Sequence, residues 1–265
     1  MNRIDKTFQA LAASQRKALV AYLTAGDPDF DTSLQILRTA CASGVDVLEM
    51  GVPFSDPTCD GPVIQEASAR ALKSGMSLSK SILLAAELRK TVQTPIVLFS
   101  YYNPLFKYGL ERVAKEVEEA GIDGLLVVDL PPEEAGPLST AIKGKDIHLI
   151  RLAAPTSKPE RIRMLADGAG GFLYLITRLG VTGTGGLDYA DVAKHAAAVK
   201  AVCPHPLCLG FGISTGADAQ ALAPMADGLI VGSALVRVIA QASAGTDIPS
   251  LVAAKLHELR DGIDA

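Results

Sequence analysis

No window of this chain approaches the ~18 uninterrupted apolar residues that a membrane helix needs, so no membrane span is expected. The run ALVAYLTAG (18–26) follows Arg16 and Lys17 and imitates the core of a secretion signal. A helix-like segment precedes it, however, so it reads as a strand and the protein as cytoplasmic. Basic charge is also scarce. The net charge is -4, with lysines and arginines spread among the acids, and no basic stripe points to nucleic acid or an anionic membrane surface. That leaves a small molecule or another protein as the partner. The four cysteines, at 41, 59, 203 and 208, form no framework, and a chain of 265 residues that is 49% hydrophobic needs no disulfides to hold its core. They read as reduced. Cys203, His205 and Cys208 lie close together, but nothing nearby completes a four-ligand set, so no metal site is expected.

Four phrases recur: ASGVDVLEM (42–50), EAGIDGLLVVDLP (119–131), ADGAGGFLYLIT (166–177) and MADGLIVGS (225–233). Each runs from a small-residue helix end through a glycine into a short, non-alternating apolar run, the mark of a strand buried on both faces in a parallel sheet. Eight such runs occur, at 17–25, 46–50, 95–100, 123–129, 147–153, 172–177, 206–210 and 227–232. Helical spacing lies between them, as at 31–43, 132–144 and 157–168, the last opening with Ser157 and Glu160 in capping-box spacing. Eight strands alternating with helices over about 250 residues predict a TIM (β/α)8 barrel. An extra N-terminal helix (2–13) precedes strand one, and two helical segments (62–74 and 78–92), one more than a single crossover needs, follow strand two. No Ser/Gly linker divides the chain, so residues 1–265 read as one domain. The alternative, an open dinucleotide-binding sheet, lacks its G-x-G-x-x-G turn after the first strand.

Barrel chemistry gathers at the C-terminal strand ends. Here those ends offer no lysine for a Schiff base and no histidine pair for a metal, which leaves carboxylates. Glu49 ends an apolar strand, where burial would raise its pKa toward neutrality and suit it to proton transfer; a structural pairing is the alternative. Asp60 precedes Gly61-Pro62, so a helix N-cap competes with a chemical role. Glycine turns after strands seven and eight, in LGFGIS (209–214) and VGSALV (231–236), together with GVTGTGG (180–186), fit a phosphate held by backbone amides. The long, polar, glycine-rich stretch RLGVTGTGG (178–186) has the composition of a lid.

LEMGVPFSDPTCDGPVIQ (48–65), YYNP (101–104), VVDLP (127–131), LAAPTS (152–157), YLITRLGVTG (174–183), GFGIS (210–214) and GSALV (232–236) appear in an order that resembles the tryptophan synthase alpha chain family. Two departures are visible: Cys59 stands where the family usually has alanine, and Ser100 is less usual before Tyr-Tyr-Asn. The resemblance implies a lyase that cleaves indole-3-glycerol phosphate to indole and glyceraldehyde 3-phosphate. It implies Glu49 as proton shuttle, Asp60 as acceptor of the indole N–H, and Tyr174, at the end of strand six, beside the catalytic acid. Gly183, Phe211, Gly212, Gly232 and Ser233 would hold the phosphate, and Tyr22, Phe99 and Leu126 would wall the indole. Arg178 and Thr182 would belong to the lid. The resemblance further implies an alpha2beta2 heterotetramer in which indole passes to the beta chain, with Asp56 and Pro57 facing that partner. Pyridoxal phosphate would belong to the beta chain, and no cofactor is expected in this one. A ring-closing indoleglycerol-phosphate synthase would need strand-end lysines, and an inactive regulatory subunit would show a damaged acid pair.

Overall fold

The computed structural model describes residues 1–177, 188–210, 212–243 and 245–265. Its strands are β1 (Ala18–Thr24), β2 (Val47–Gly51), β3 (Ile96–Ser100), β4 (Gly124–Val127), β5 (His148–Ala153), β6 (Leu173–Ile176), β7 (Leu207–Gly210) and β8 (Gly228–Val231). They close into a barrel in sequence order with every neighbouring pair parallel. Helix α1 (Arg3–Ala13) precedes β1, and α2 (Phe30–Ala42) crosses to β2. Two helices, α3 (Pro62–Lys73) and α4 (Leu78–Arg89), lead to β3, and α5 (Tyr102–Tyr108) and α6 (Leu110–Glu119) to β4. Then follow α7 (Gly136–Ala141), α8 (Pro159–Asp167), α9 (Tyr189–Lys200), α10 (Gly216–Leu222), α11 (Ser233–Ala240) and α12 (Ile248–Asp264). The TIM barrel, its N-terminal helix and the additional helix after β2 are therefore all present.

Alternate strand residues turn inward. Val20, Val47, Val97, Leu126, Ile150, Tyr174, Cys208 and Ile230 form the barrel interior, while residues such as Leu19, Leu48 and Leu98 face the helices. Helix α1 closes the N-terminal mouth by packing Ile4, Phe8 and Leu11 into that interior, with Phe8 and Phe172 ring centroids 5.6 Å apart. Burying three such side chains contributes roughly 1.5–3 kcal/mol each. Asn2 fixes the helix start by accepting from the Ile4 N–H and donating to the carbonyls of Asp123 and Asp146. The bottom of the barrel interior is thus sealed, and that interior opens toward the C-terminal strand ends.

The recurrent phrases hide a second device besides their glycines. Gly44 and Gly121, at φ +86° and +70°, end α2 and α6 as expected. The aspartate just before the next strand then accepts the N–H of a residue at the start of the preceding one. Asp46 takes that of Leu19, Asp123 that of Ile96 and Asp227 that of Leu207, each at 2.8 Å. Asp123 is also paired with Arg3 at 2.8 Å and Arg89 at 2.7 Å, and Asp46 with Arg260 at 3.0 Å. These carboxylates join strand, crossover helix and chain terminus at the closed end of the barrel.

Two local expectations are corrected. Segment 132–144 is a 3-10 turn (Pro132–Glu134) followed by the short α7, because Gly136-Pro137 restarts the helix. Ser157 does not cap α8. Pro159 takes the first helical position, Lys158 becomes the N-cap without a side-chain bond, and the Ser157 hydroxyl accepts from the Ala154 N–H at 3.1 Å.

Candidate active site

Glu49 is the third residue of β2. Its inward direction follows from Val47 two residues earlier, and its neighbours in register are Tyr22 on β1 and Val97 on β3. It is 1% exposed, and its Oε1 is buried with no hydrogen-bond partner among the described residues. Burial, which strips the carboxylate of hydration, pushes the carboxyl up to about 8. The protonated form is then favoured at pH 7. The structural-pairing alternative for Glu49 finds no support in these contacts.

Asp60 arrives by the loop 52–61. The Val52 N–H donates to the Phe99 carbonyl at 2.8 Å, and the Asp60 N–H closes a turn onto the Pro57 carbonyl at 3.1 Å. Tyr101, at the end of β3, holds the loop from the barrel side. Its hydroxyl donates to Asp60 Oδ2 at 3.0 Å and accepts the Cys59 N–H at 2.9 Å, while its ring lies 5.2 Å from that of Phe54. The N-cap of α3 is Gly61, with no side-chain cap bond, and Pro62 is the first helical residue. The cap reading of Asp60 therefore fails. Partial burial raises its carboxyl to about 6, against the opposing hydrogen bond from Tyr101. Asp56 and Pro57 lie on the same loop, Asp56 exposed and Pro57 half-buried.

Tyr22, on β1, is the register neighbour of Glu49. Burial raises its phenol far above the ordinary value, and the charges of Asp60 and Glu49 both add to the rise. Its ring meets Phe99 edge-on at 5.3 Å, and Leu126 is fully buried in the interior. Tyr174 is the second of four residues in β6 rather than its end, buried in the interior, and after burial the largest influence raising its pKa is Glu49. Two glycines make room for these tyrosines. A Cβ on Gly51 would lie 2.1 Å from the Tyr22 hydroxyl, and one on Gly210 would lie 2.2 Å from that of Tyr174. Neither glycine was identifiable as a site residue from sequence, because a strand-end glycine looks the same whether it serves a turn or a neighbour's ring. Tyr101 was visible only as a strand end. The pairing of Asp27 with Arg70, both contacts 2.8 Å, was not visible at all; it ties the loop after β1 to α3, just beyond Asp60.

After β8, two strands round the barrel from β2, Gly232 is the N-cap of α11 and Ser233 its first residue. Gly232 lies against Tyr22, where a Cβ would come within 3.2 Å of the Tyr22 Cβ. Gly212 follows β7 at φ +80°, a conformation that favours glycine. A helix start leaves its first N–H groups without intrahelical partners, which suits an anion. Arg178, Thr182, Gly183 and Phe211, with the stretch 178–186 as a whole, lie outside the described residues. Cys203, His205 and Cys208 diverge: Cys208 faces the barrel interior, and His205 Nε2 contacts the Ala166 carbonyl at 3.0 Å. Among the described residues no group of three His, Cys, Asp or Glu side chains is placed to hold a metal, and no helix is long and apolar enough to cross a membrane.

A fully buried carboxyl on β2 and a half-buried one on the loop that follows, both raised by burial and Glu49 the more, are groups suited to acid/base chemistry near neutral pH. The family model described as "Tryptophan synthase alpha chain" matches residues 8–261. The chain belongs to the tryptophan synthase alpha chain family. The alpha chain of Desulfosudis oleivorans is 50% identical over 260 residues, 98% of either chain. The crystal structure of tryptophan synthase subunit alpha from Legionella pneumophila str. Paris superposes with a TM-score of 0.93 at 38% identity, covering 100% of this chain and 99% of that one. A chain of tryptophan synthase from M. tuberculosis in its aminoacrylate-bound form gives 0.88 at 31% identity, covering 99% and 100%. The family is a lyase family acting on indole-3-glycerol phosphate in tryptophan biosynthesis, and the match spans every site residue expected from sequence.

Proposed function

We propose that Glu49 and Asp60 carry out the retro-aldol cleavage of indole-3-glycerol phosphate to indole and glyceraldehyde 3-phosphate in this chain. The observations that support the reading are a carboxyl, Glu49, buried in the barrel interior beside Tyr22 with no partner for its Oε1, and a second, Asp60, held by the Tyr101 hydroxyl on the loop that follows. Glu49 gives its proton to the indole ring carbon that bears the side chain. The ring nitrogen becomes positive, and Asp60, ionised above about pH 6, accepts the N–H and stabilises that charge. The Glu49 carboxylate then takes the proton of the side-chain hydroxyl. The carbon–carbon bond breaks, its electrons return to the ring, and the aldehyde forms. Glu49 ends protonated, so the proton count closes over one turnover.

Tyr174 stays neutral and flanks Glu49, and Tyr22, Phe99 and Leu126 wall the indole. Gly212, Gly232 and Ser233 supply amides and a hydroxyl to the phosphate, with Gly183 and Phe211 completing that site and Arg178 and Thr182 belonging to a lid. The loop bearing Asp56 and Pro57 faces a tryptophan synthase beta chain in an alpha2beta2 assembly. That beta chain holds the pyridoxal phosphate and receives the indole, and both work in the cytoplasm. Residues 1–265 act as one unit, a reading supported by α12, whose Arg260 returns to Asp46 and to the Lys17 carbonyl beside β1. The test is to supply indole-3-glycerol phosphate with and without a beta chain and to assay both products. Equal amounts of indole and glyceraldehyde 3-phosphate are expected, and no indole with the partner present would refute the reading.

A further inference from the structure

Arg151 stands alone in the apolar run of β5. Ile150 and Leu152, on either side of it, belong to the barrel interior, so its side chain points out toward the helices. It is 5% exposed, makes no hydrogen bond or ion pair among the described residues, and has a buried Nε with no partner. A buried guanidinium without an acceptor is costly, and burial accordingly lowers its pKa. The charges that act on it are those of Arg161 and Glu133, and these two pair with each other. Arg151 is therefore left without an ion-pair partner of its own among the described residues.

Arg151 lines a cavity of about 250 Å³ that opens where β4 and β5 part beyond their last register pair, Leu126 and Ile150. Pro131 and Pro132 line it from the loop after β4, and Arg161 and Leu165 from α8. Asp129, also in the lining, accepts the Tyr102 N–H at 2.7 Å. We propose that this cavity binds a small oxyanion of single charge, a carboxylate or monobasic phosphate, on the Arg151 guanidinium, with Arg161 at its side. A planar guanidinium matches such an anion with two parallel N–H bonds, and Arg151 holds no carboxylate among the described residues that the anion would have to displace. The site uses none of the residues assigned to the lyase reaction, so it stands or falls independently of that reading.

The test is an NMR titration of the full-length chain labelled at the arginine Nε–H groups, with formate added at ionic strength held constant by chloride. Formate should move the Arg151 signal saturably, and Arg151→Met should remove that signal and the response with it. Arg161→Gln, a change at a more exposed side chain, should keep the signal and weaken binding about tenfold, the loss expected for one charge-assisted contact. This second variant keeps the test decisive even if the first does not fold. Inorganic phosphate should give the same response in a Ser233→Asp variant, in which a carboxylate blocks the proposed substrate-phosphate site. The proposal is overturned if formate produces no saturable shift, if chloride alone reproduces it, if Arg161→Gln leaves the affinity unchanged, or if Ser233→Asp abolishes the phosphate response.

Discussion

Replacing Glu49 with glutamine should change how stability depends on pH, in a direction that runs against function. The carboxyl is raised from 4.5 to about 8 by burial alone. Between these values the folded chain keeps a proton that the unfolded chain has lost, so stability is full below pH 4.5 and declines as pH rises through about 8. The slope reaches ~1.4 kcal/mol per pH unit, and the whole decline is about 5 kcal/mol as an order of magnitude. Glutamine has nearly the same shape and no titration. Its buried amide costs roughly 1–3 kcal/mol at every pH, so the variant should be the less stable protein near pH 4.5 and the more stable one at pH 8. Equilibrium urea unfolding of both proteins at several pH values measures this, and other carboxyls raised by burial, such as Asp27 and Asp46, cancel in the difference. A stability difference that stays constant within about 0.5 kcal/mol from pH 5 to 8 would show that Glu49 is not a buried proton carrier.

The same ionisation should appear in catalysis, where kcat/KM should fall above pH about 8 as Glu49 loses its proton in the free enzyme; a plateau continuing to pH 9.5 would contradict this. Tyr101→Phe removes the hydrogen bond that lowers the Asp60 pKa, so the acidic limb of the profile should move up from about 6, with a stability loss of ~1 kcal/mol, and an unmoved limb would deny Tyr101 its role. Gly51→Ala places a Cβ 2.1 Å from the Tyr22 hydroxyl, which should cost ~1–3 kcal/mol in thermal or urea unfolding. Shortening the partner, as in Tyr22→Leu, should recover much of that loss, and strict additivity of the two changes would refute the steric account.

The fold could be read in the sequence because a strand buried on both faces leaves a mostly apolar run, which occurs at all eight strands, and a glycine in the left-handed region precedes four of them, at Gly44, Gly121, Gly144 and Gly171. The aspartates of the same phrases were harder to interpret. Asp46, Asp123 and Asp227 act on residues 20 to 27 positions earlier in the chain, and no local rule reports such a contact. Glu49 was legible from its place in an apolar strand. Asp60 was ambiguous, because Asp-Gly-Pro is as good a helix start as a site motif until the backbone puts the cap at Gly61. The roles of Gly51 and Gly210 depend on rings carried by neighbouring strands, so only the closed barrel reveals them. Nothing in the run 147–153 marks Arg151, and only its burial and missing partner in the folded chain distinguish it from a surface arginine.

The central claim is that Glu49 moves the proton and Asp60 stabilises the ring charge. Its most direct test is the rate of indole release from indole-3-glycerol phosphate, measured with a beta chain present, for the wild type, Glu49→Gln and Asp60→Asn. Losing the acid/base group should cost ~10²–10⁴-fold in kcat, and losing one preorganised electrostatic contact ~10²-fold, with both variants still folded. A Glu49→Gln protein that releases indole at the wild-type rate would contradict the account.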